Sequence, residues 1–335
     1  MRVTVLMGGT SSERDVSLAS GLRVAGALRE AGHEVRVVDT AIGLISDKDE
    51  RAMLASGQVV KTVPPDVQAL VRLNRQLPST LDHLGDSDVI FLALHGGTGE
   101  DGTIQALLDL TGVPYTGSGH LASALAMDKD LSKHLFRRAG VPTADWLMAP
   151  ATAEQVKATL GFPVIVKPSK QGSTVGLSLV REPALFEDAI IEAFRHDDEV
   201  MIEVFVPGRE LTVGILGGEA LPVGEIIPAK ELYDYECKYT PGMAREIFPA
   251  ELTTEQTHEI QRLAQQAFLA LKLGGCARID FRMTPSGEFF CLEANTLPGM
   301  TELSLIPQAA AAAGLSFPVL CDRIVRLSLT PRTST

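Results

Sequence analysis

The chain has 335 residues, room for two or three domains and ample core, and 45% hydrophobic with 21% charged residues is the balance of an ordinary soluble globular protein. Its formal charge of -12 excludes a general nucleic-acid or membrane-surface binder, which would need a basic footprint. Cys237, Cys276, Cys291 and Cys321 lie far apart without C-x-x-C spacing, and no run approaches the ~18 apolar residues of a membrane span. Free thiols and the lack of a signal-like N-terminus point to a reducing, cytoplasmic setting.

In chain order, Val3 to Met7 reads as a buried strand, Gly8 to Ser12 as a loop and Val16 to Glu30 as a helix closed by Gly32. Glu34 to Val38 and Asp88 to Leu94 are further strands. The loop HGGTGEDGT and a helix over Ile104 to Leu110 follow the second of these. Largely apolar strands alternating with helices predict a parallel sheet covered on both faces. Asp47 to Leu84 is weakly patterned, read as helix and loop at the domain edge. A helix pair after Gly119 includes the amphipathic Asp128 to Ala139, ended by Gly140 and Pro142. Strands at Pro163 to Lys167, Leu177 to Val180 and Val200 to Phe205 surround a helix at Ala184 to Phe194. Strands at Glu210 to Leu216 and Leu221 to Ile227 precede a polar loop, Ala229 to Arg245, and a helix over Thr254 to Leu271. A hairpin and a last helix through Ala309 to Ala313 complete the chain, with no internal repeat.

The hairpin carries the densest chemistry. Ala277 to Met283 and Glu288 to Asn295 flank a Thr-Pro-Ser-Gly turn. If Met283 pairs with Glu288, alternation puts Ile279, Phe281, Phe290 and Leu292 on an apolar face. Arg278, Asp280, Cys291, Glu293 and Asn295 then share the other. Two carboxylates, an amide oxygen and a guanidinium form the set that takes a hard divalent cation and phosphate oxygens. A plain solvent-facing strand pair would not explain so narrow a charged face over so apolar a back.

A second loop, Lys170 to Gly176, follows the strand ending in Lys167 and Pro168. Its glycines and hydroxyls expose N–H groups able to wrap phosphates, with the Lys167 ammonium beside them. Neither G-x-x-x-x-G-K-[ST] nor G-x-G-x-x-G is present, so P-loop and Rossmann-type nucleotide binding are both disfavoured.

The ordered blocks GGTSSERDVSL, LHGGTGEDGTIQ, PYTGSG, AMDKDLSK, VIVKPSKQGSTVG, YDYECKY, ARIDF and LEANTLPGMTELSLIP resemble the D-alanine–D-alanine ligases of the ATP-grasp superfamily. The resemblance runs from about Val3 to Leu327. It implies an α/β, three-domain ATP-grasp fold with an N-terminal parallel-sheet, Rossmann-like domain. The expected bounds are 1–120, 121–206 and 207–331, the last two gripping ATP. It also implies ATP-dependent joining of two D-alanines through D-alanyl phosphate for peptidoglycan, and a homodimer formed through the N-terminal domain. A carboxylate–amine ligase with D-Ser or D-lactate as second substrate is the near rival. A nucleotide-binding protein without activity is the distant one, opposed by the retained Asp280, Glu293 and Asn295.

By the same resemblance, Asp280, Glu293 and Asn295 hold two Mg²⁺ ions, with Mn²⁺ as a substitute. Lys129 and Lys167 contact ATP, the backbone from Glu203 to Val206 reads the adenine edge, and Glu210 meets the ribose. Many relatives carry Lys after the hinge Glu, where this chain has Val204. Glu13, read as the start of the first helix, anchors the ammonium of the first D-Ala, with His95 nearby. Ser173, Tyr239 and Glu13 link three domains over the site, and Lys238 and Tyr239 sit in a lid that excludes water. Retention of this Lys-Tyr pair favours an amine as the second nucleophile. Ser304 is expected to cap the helix beginning at Leu305, the pair receiving the second D-Ala carboxylate. Gly299 N–H and Arg278 form an oxyanion hole.

Overall fold

The computed structural model describes residues 1–55, 84–229, 240 and 242–330, and three sheets organise them. The first unit contains β1 (Arg2–Met7), α1 (Arg14–Glu30), β2 (Glu34–Asp39), β3 (Gly43–Leu44), α2 (Asp47–Ala55), β4 (Val89–Leu92) and α3 (Thr103–Thr111). The strand order is β3-β2-β1-β4, with β1 parallel to both β2 and β4 and the short β3 antiparallel at the edge. Every residue of β1 after Arg2 is buried, as a strand covered on both faces requires. Of the weakly patterned span 47–84, the helix is present at its start, and 56–83 lie outside the described residues.

The second unit follows α4 (His120–Met127) and α5 (Lys129–Arg138), the latter capped by Asp128 accepting Leu131 N–H at 3.0 Å. It comprises β5 (Trp146–Met148), α6 (Ala153–Thr159), β6 (Val164–Pro168), β7 (Ser178–Val180), α7 (Phe186–Phe194) and β8 (Val200–Val204). All pairs in the order β5-β8-β6-β7 are antiparallel. β5 and α6 escaped the sequence reading: one is three half-buried residues, the other seven residues with a single buried one, Val156.

The third unit holds β9 (Arg209–Leu216), β10 (Glu219–Ala220), β11 (Gly224–Pro228), β12 (Ala244–Ile247), α8 (Thr254–Ala270), β13 (Cys276–Met283), β14 (Phe289–Asn295), α9 (Leu305–Ala312) and α10 (Phe317–Leu327). Its sheet runs β12-β11-β9-β13-β14, with β10 on β9. The expected last helix is two helices, because Gly314 takes a left-handed φ of 80° and ends the first. α10 packs on α1, so Leu320, Ile324 and Val325 share one core with Val3, Val5 and Leu22 of the first unit. No single helix among the described residues is long and apolar enough to cross a membrane.

The hairpin register differs from the expected one. Met283 pairs with Phe289, Phe281 with Cys291, and Asp280 with Glu293, with a shift between Asp280 and Phe281 that leaves Leu292 as an extra residue. The one-residue slip at the turn, with Phe289 rather than Glu288 opposite Met283, reverses the assignment on the turn side of this β-bulge. Cys291 is fully buried with Ile279, Phe281 and Phe289, while Phe290 and Leu292 are only half-buried. Beyond the bulge the phase is restored, so Glu293 and Asn295 return to the face of Asp280 and Arg278.

Candidate active site

A cleft of ≈ 990 Å³, open on one side, lies between the sheets of the second and third units. β6 and β8 contribute Lys167 and Glu203 to its wall, and the segment after β8 contributes Val206. β9 contributes Glu210, and β13 and β14 contribute Arg278, Asp280, Leu292 and Glu293. Lys129 enters from the start of α5, Ser173 from the glycine loop and Leu305 from α9.

On the hairpin face, Arg278 Nε and Nη2 donate to Asp280 at 2.9 and 2.8 Å, Thr212 Oγ1 donates at 2.7 Å, and Asn295 Nδ2 at 2.9 Å. Lys129 Nζ stands 3.2 Å from Glu293 and donates to Gln171 C=O at 2.9 Å, tying this face to the glycine loop. Among the described residues no three His, Cys, Asp or Glu side chains form a metal cluster. A cation here would therefore take two facing carboxylates, the Asn295 amide oxygen and the oxygens of a ligand. That set fits a hard divalent ion, and Lys129 and Arg278 balance the charge beside it.

At the other end, the Glu203 carboxylate accepts from Lys167 at 2.5 Å through Oε1 and from Lys133 at 2.8 Å through Oε2. Burial pushes this carboxyl up, but the two ammonium groups outweigh burial and hold it at about 2. Burial and the neighbouring Lys167 push the Lys133 ammonium down, against the pull of Glu203. Arg282 donates to Val206 C=O at 3.1 Å and to Gly208 C=O at 2.9 Å and approaches Glu210 at 3.3 Å, clamping the segment that follows β8. Val204 also lines the cleft.

The first unit meets the cleft at Glu13. Glu13 precedes α1 rather than starting it, and it makes no side-chain cap. Its carboxylate instead accepts the Ser173 hydroxyl at 2.5 Å and lies so close to Gly96 that a Cβ there would come 2.8 Å from Oε2. Ser173 and Thr174 hold this turn at φ 51° and 62°, an uncommon backbone for residues with side chains. His95 is buried, and burial pushes its imidazole down despite Glu13. Its Nε2 lies 3.1 Å from Ser20 Oγ, which also accepts Met300 N–H, the residue after Gly299, at 3.2 Å.

Ser304 stands at the N-cap position of α9, yet its hydroxyl does not cap. It turns back to Thr301, accepting that N–H at 3.1 Å and lying 2.8 Å from its Oγ1. Lys238 and Tyr239 lie outside the described residues, as does most of the polar loop that carries them.

Three residues of this neighbourhood were not singled out from sequence. Glu100 is shielded in the fold, its oxygens accepting Gly96 N–H at 3.0 Å and Leu297 N–H at 3.2 Å. Burial first, then the Glu13 charge, push its carboxyl up to about 7. Its position in a glycine loop after a buried strand was the available signal. Arg282 continues the alternation of Arg278 and Asp280 on one strand face, and Lys133 lies one helical turn after Lys129.

Models of two families match the chain: the D-ala D-ala ligase N-terminus over residues 2–118 and the D-ala D-ala ligase C-terminus over residues 135–326. The D-alanine–D-alanine ligases of Citrifermentans bemidjiense and Aquifex aeolicus are each 43% identical over 97% of this chain, covering 95% and 100% of those proteins. The solved structure of the Coxiella burnetii D-alanine–D-alanine ligase superposes with a TM-score of 0.79 at 28% identity, covering 99% of this chain and 94% of that one. The Bacillus anthracis enzyme complexed with ATP gives a TM-score of 0.75 at 30% identity, covering 100% and 99%.

Proposed function

This chain belongs to the D-alanine–D-alanine ligase family, of ATP-grasp fold, and from that premise we propose how its own residues carry the reaction. The enzyme joins two D-alanines with ATP through D-alanyl phosphate, releasing ADP and phosphate, in peptidoglycan synthesis. The observation that carries the site is the convergence of both ends of one cleft: a lysine–carboxylate hinge at one end and an oxygen-rich hairpin face at the other. We divide the chain into domains at 1–120, 121–206 and 207–331, with one of the three sheets in each.

ATP lies along this cleft. The backbone from Glu203 to Val206 meets the adenine edge, Glu210 takes the ribose hydroxyls, and Lys129 and Lys167 contact the phosphates. Asp280, Glu293 and Asn295 would hold Mg²⁺, two ions with Mn²⁺ as a substitute. When bound, these ions would neutralise charge on the β- and γ-phosphate oxygens.

The first D-Ala sits with its ammonium on Glu13 beside His95, its carboxylate in line with the γ-phosphate. Arg278 spreads the charge that develops as that carboxylate attacks. The amine of the second D-Ala, whose carboxylate rests on Ser304 and the Leu305 N–H, then attacks the acyl carbonyl. Arg278 and the Gly299 N–H receive the oxyanion, and phosphate leaves. Ser173 fixes Glu13 across the domain boundary. The resemblance alone assigns Lys238 and Tyr239 to the cover of this site.

No described thiol competes as a nucleophile: burial pushes the Cys276 thiol up to about 12 and the Cys291 thiol up as well. The chain's contribution is positioning and electrostatics. Reduced, buried Cys276, Cys291 and Cys321 accord with a cytoplasmic setting. Ile42 and Leu44, 59% and 54% exposed around edge strand β3, offer apolar surface for a homodimer through the first unit.

An ADP-release assay over D-Ala, D-Ser, D-lactate and L-Ala tests the substrate. D-Ala alone should support equal release of ADP and phosphate. No ADP with D-Ala would refute the assignment.

A further inference from the structure

Lys133 has a fully buried side chain, yet it does not line the cleft. An ammonium so placed is tolerated only when its charge and donors are met. Its Nζ donates to Glu203 Oε2 at 2.8 Å and to Thr143 Oγ1 at 2.8 Å, and it stands 5.1 Å from the centre of the Trp146 ring. Trp146 and Glu203 are direct partners across β5 and β8, so Lys133 is fitted beneath one strand pair.

Two hydrogen-bond paths meet at this ammonium. On one side, Glu203 offers its second oxygen to Lys167, the lysine that does line the cleft. On the other, Thr143 Oγ1 donates to Cys291 C=O at 2.7 Å, and Cys291 N–H donates to Pro142 C=O at 2.8 Å. Cys291 immediately precedes the bulge at Leu292 and the site carboxylate Glu293. The polar path thus joins the nucleotide hinge of the second unit to the hairpin strand of the third.

We propose that Lys133 is a positioning residue that couples the two walls of the nucleotide cleft, orienting Glu203 and Lys167 on one side and, through Thr143, the β14 bulge on the other. It touches no substrate. With Lys133 in place, each Glu203 oxygen is held by a different ammonium, so the carboxylate cannot rotate and Lys167 is not left as its sole counterion. Without it, Lys167 is drawn fully onto Glu203 and away from the nucleotide, and the Cys291 carbonyl loses its anchored donor.

This inference rests on the cleft being the ATP site, and the two can be tested apart. Magnesium-dependent ADP binding by the unaltered protein tests the site itself. Lys133→Met keeps most of the length of the side chain and removes its charge, and Thr143→Val replaces the hydroxyl with a methyl. Lys133→Met should weaken ADP binding and raise the KM for ATP by about tenfold, the size of losing a hydrogen bond to a charged group. Thr143→Val should shift both in the same direction by a smaller factor, and the KM for D-Ala should stay within about twofold in both.

A purely structural role predicts instead lower thermal stability with both KM values moving together, or with neither moving. Unchanged ADP affinity in folded Lys133→Met overturns the proposal. Should that variant not fold, unchanged ADP affinity in Thr143→Val overturns it. Normal ADP binding by the unaltered protein would leave the site reading intact in either case.

Discussion

Glu100 accepts N–H groups from Gly96 and Leu297, one from the first unit and one from the loop after β14, while its carboxyl is pushed up to about 7. A carboxyl raised above its ordinary 4.5 binds a proton more tightly when folded. Its stabilising contribution is complete below pH 4.5 and lost as the pH rises through 7. On the order of 3 kcal/mol is involved. Glu100→Gln should therefore be more stable than the unaltered protein at pH 8.5 but not at pH 4.5, as thermal melts across that range would show. Parallel melting profiles would contradict it. Glu203, held at about 2, behaves in the opposite sense: its contribution is present above pH 4.5 and lost as the pH falls toward 2. Glu203→Gln leaves two buried ammonium groups without an anion and should cost about 3–5 kcal/mol at pH 7, measured by urea unfolding. That deficit should shrink as the pH falls toward 2.

The β13–β14 hairpin shows how an element places chemistry. Its bulge at Leu292 turns Cys291 into the core while keeping Glu293 opposite Asp280. Deleting Leu292 would restore strict alternation and carry either Glu293 or Cys291 to the wrong face. ADP release should then fall by about 100-fold or more, the cost of a small misplacement at a reacting centre. A deletion protein with ordinary turnover would show that the bulge is dispensable. Gly208, between β8 and β9, has φ 124°, and a Cβ there would lie 2.1 Å from Met283 C=O. Gly208→Ala should destabilise by roughly 1–3 kcal/mol, read from denaturant melts.

Most strand and helix types were legible because apolar periodicity writes them directly, whereas Arg278, Asp280, Glu293 and Asn295 share the expected face because the one-residue slip at the turn and the bulge cancel. The bulge was not legible, since one inserted residue leaves no mark when the turn pairing is also unknown. Ser304 was expected to cap α9 from its residue type, but its hydroxyl is taken by Thr301 three residues back, a local turn contact that leaves no periodic signal. Lys133 and Glu100 escaped because a buried charge is recognised by its partners, which come from distant parts of the chain.

Across the molecule, the units are joined by both core and polar contacts. α10 closes the first unit's core, Ser20 receives Met300, Glu100 receives Leu297, and Thr143 reaches Cys291. Leu320→Ala, at a fully buried position of the shared core, should cost about 2–5 kcal/mol and lower the stability of the first and third units together. Hydrogen exchange would show this as matched loss of protection in β1 and α10, whereas loss confined to α10 would mean the units are independent. On the proposed function, Asp280, Glu293 and Asn295 seat the metal that meets the phosphates in the inter-sheet cleft. A crystal structure with ADP, Mn²⁺ and a phosphinate mimic of the tetrahedral intermediate tests it most directly. Anomalous peaks should lie within about 2.3 Å of oxygens from those three residues, with adenine against the Glu203–Val206 backbone. Manganese held elsewhere, or nucleotide outside the cleft, would contradict the account.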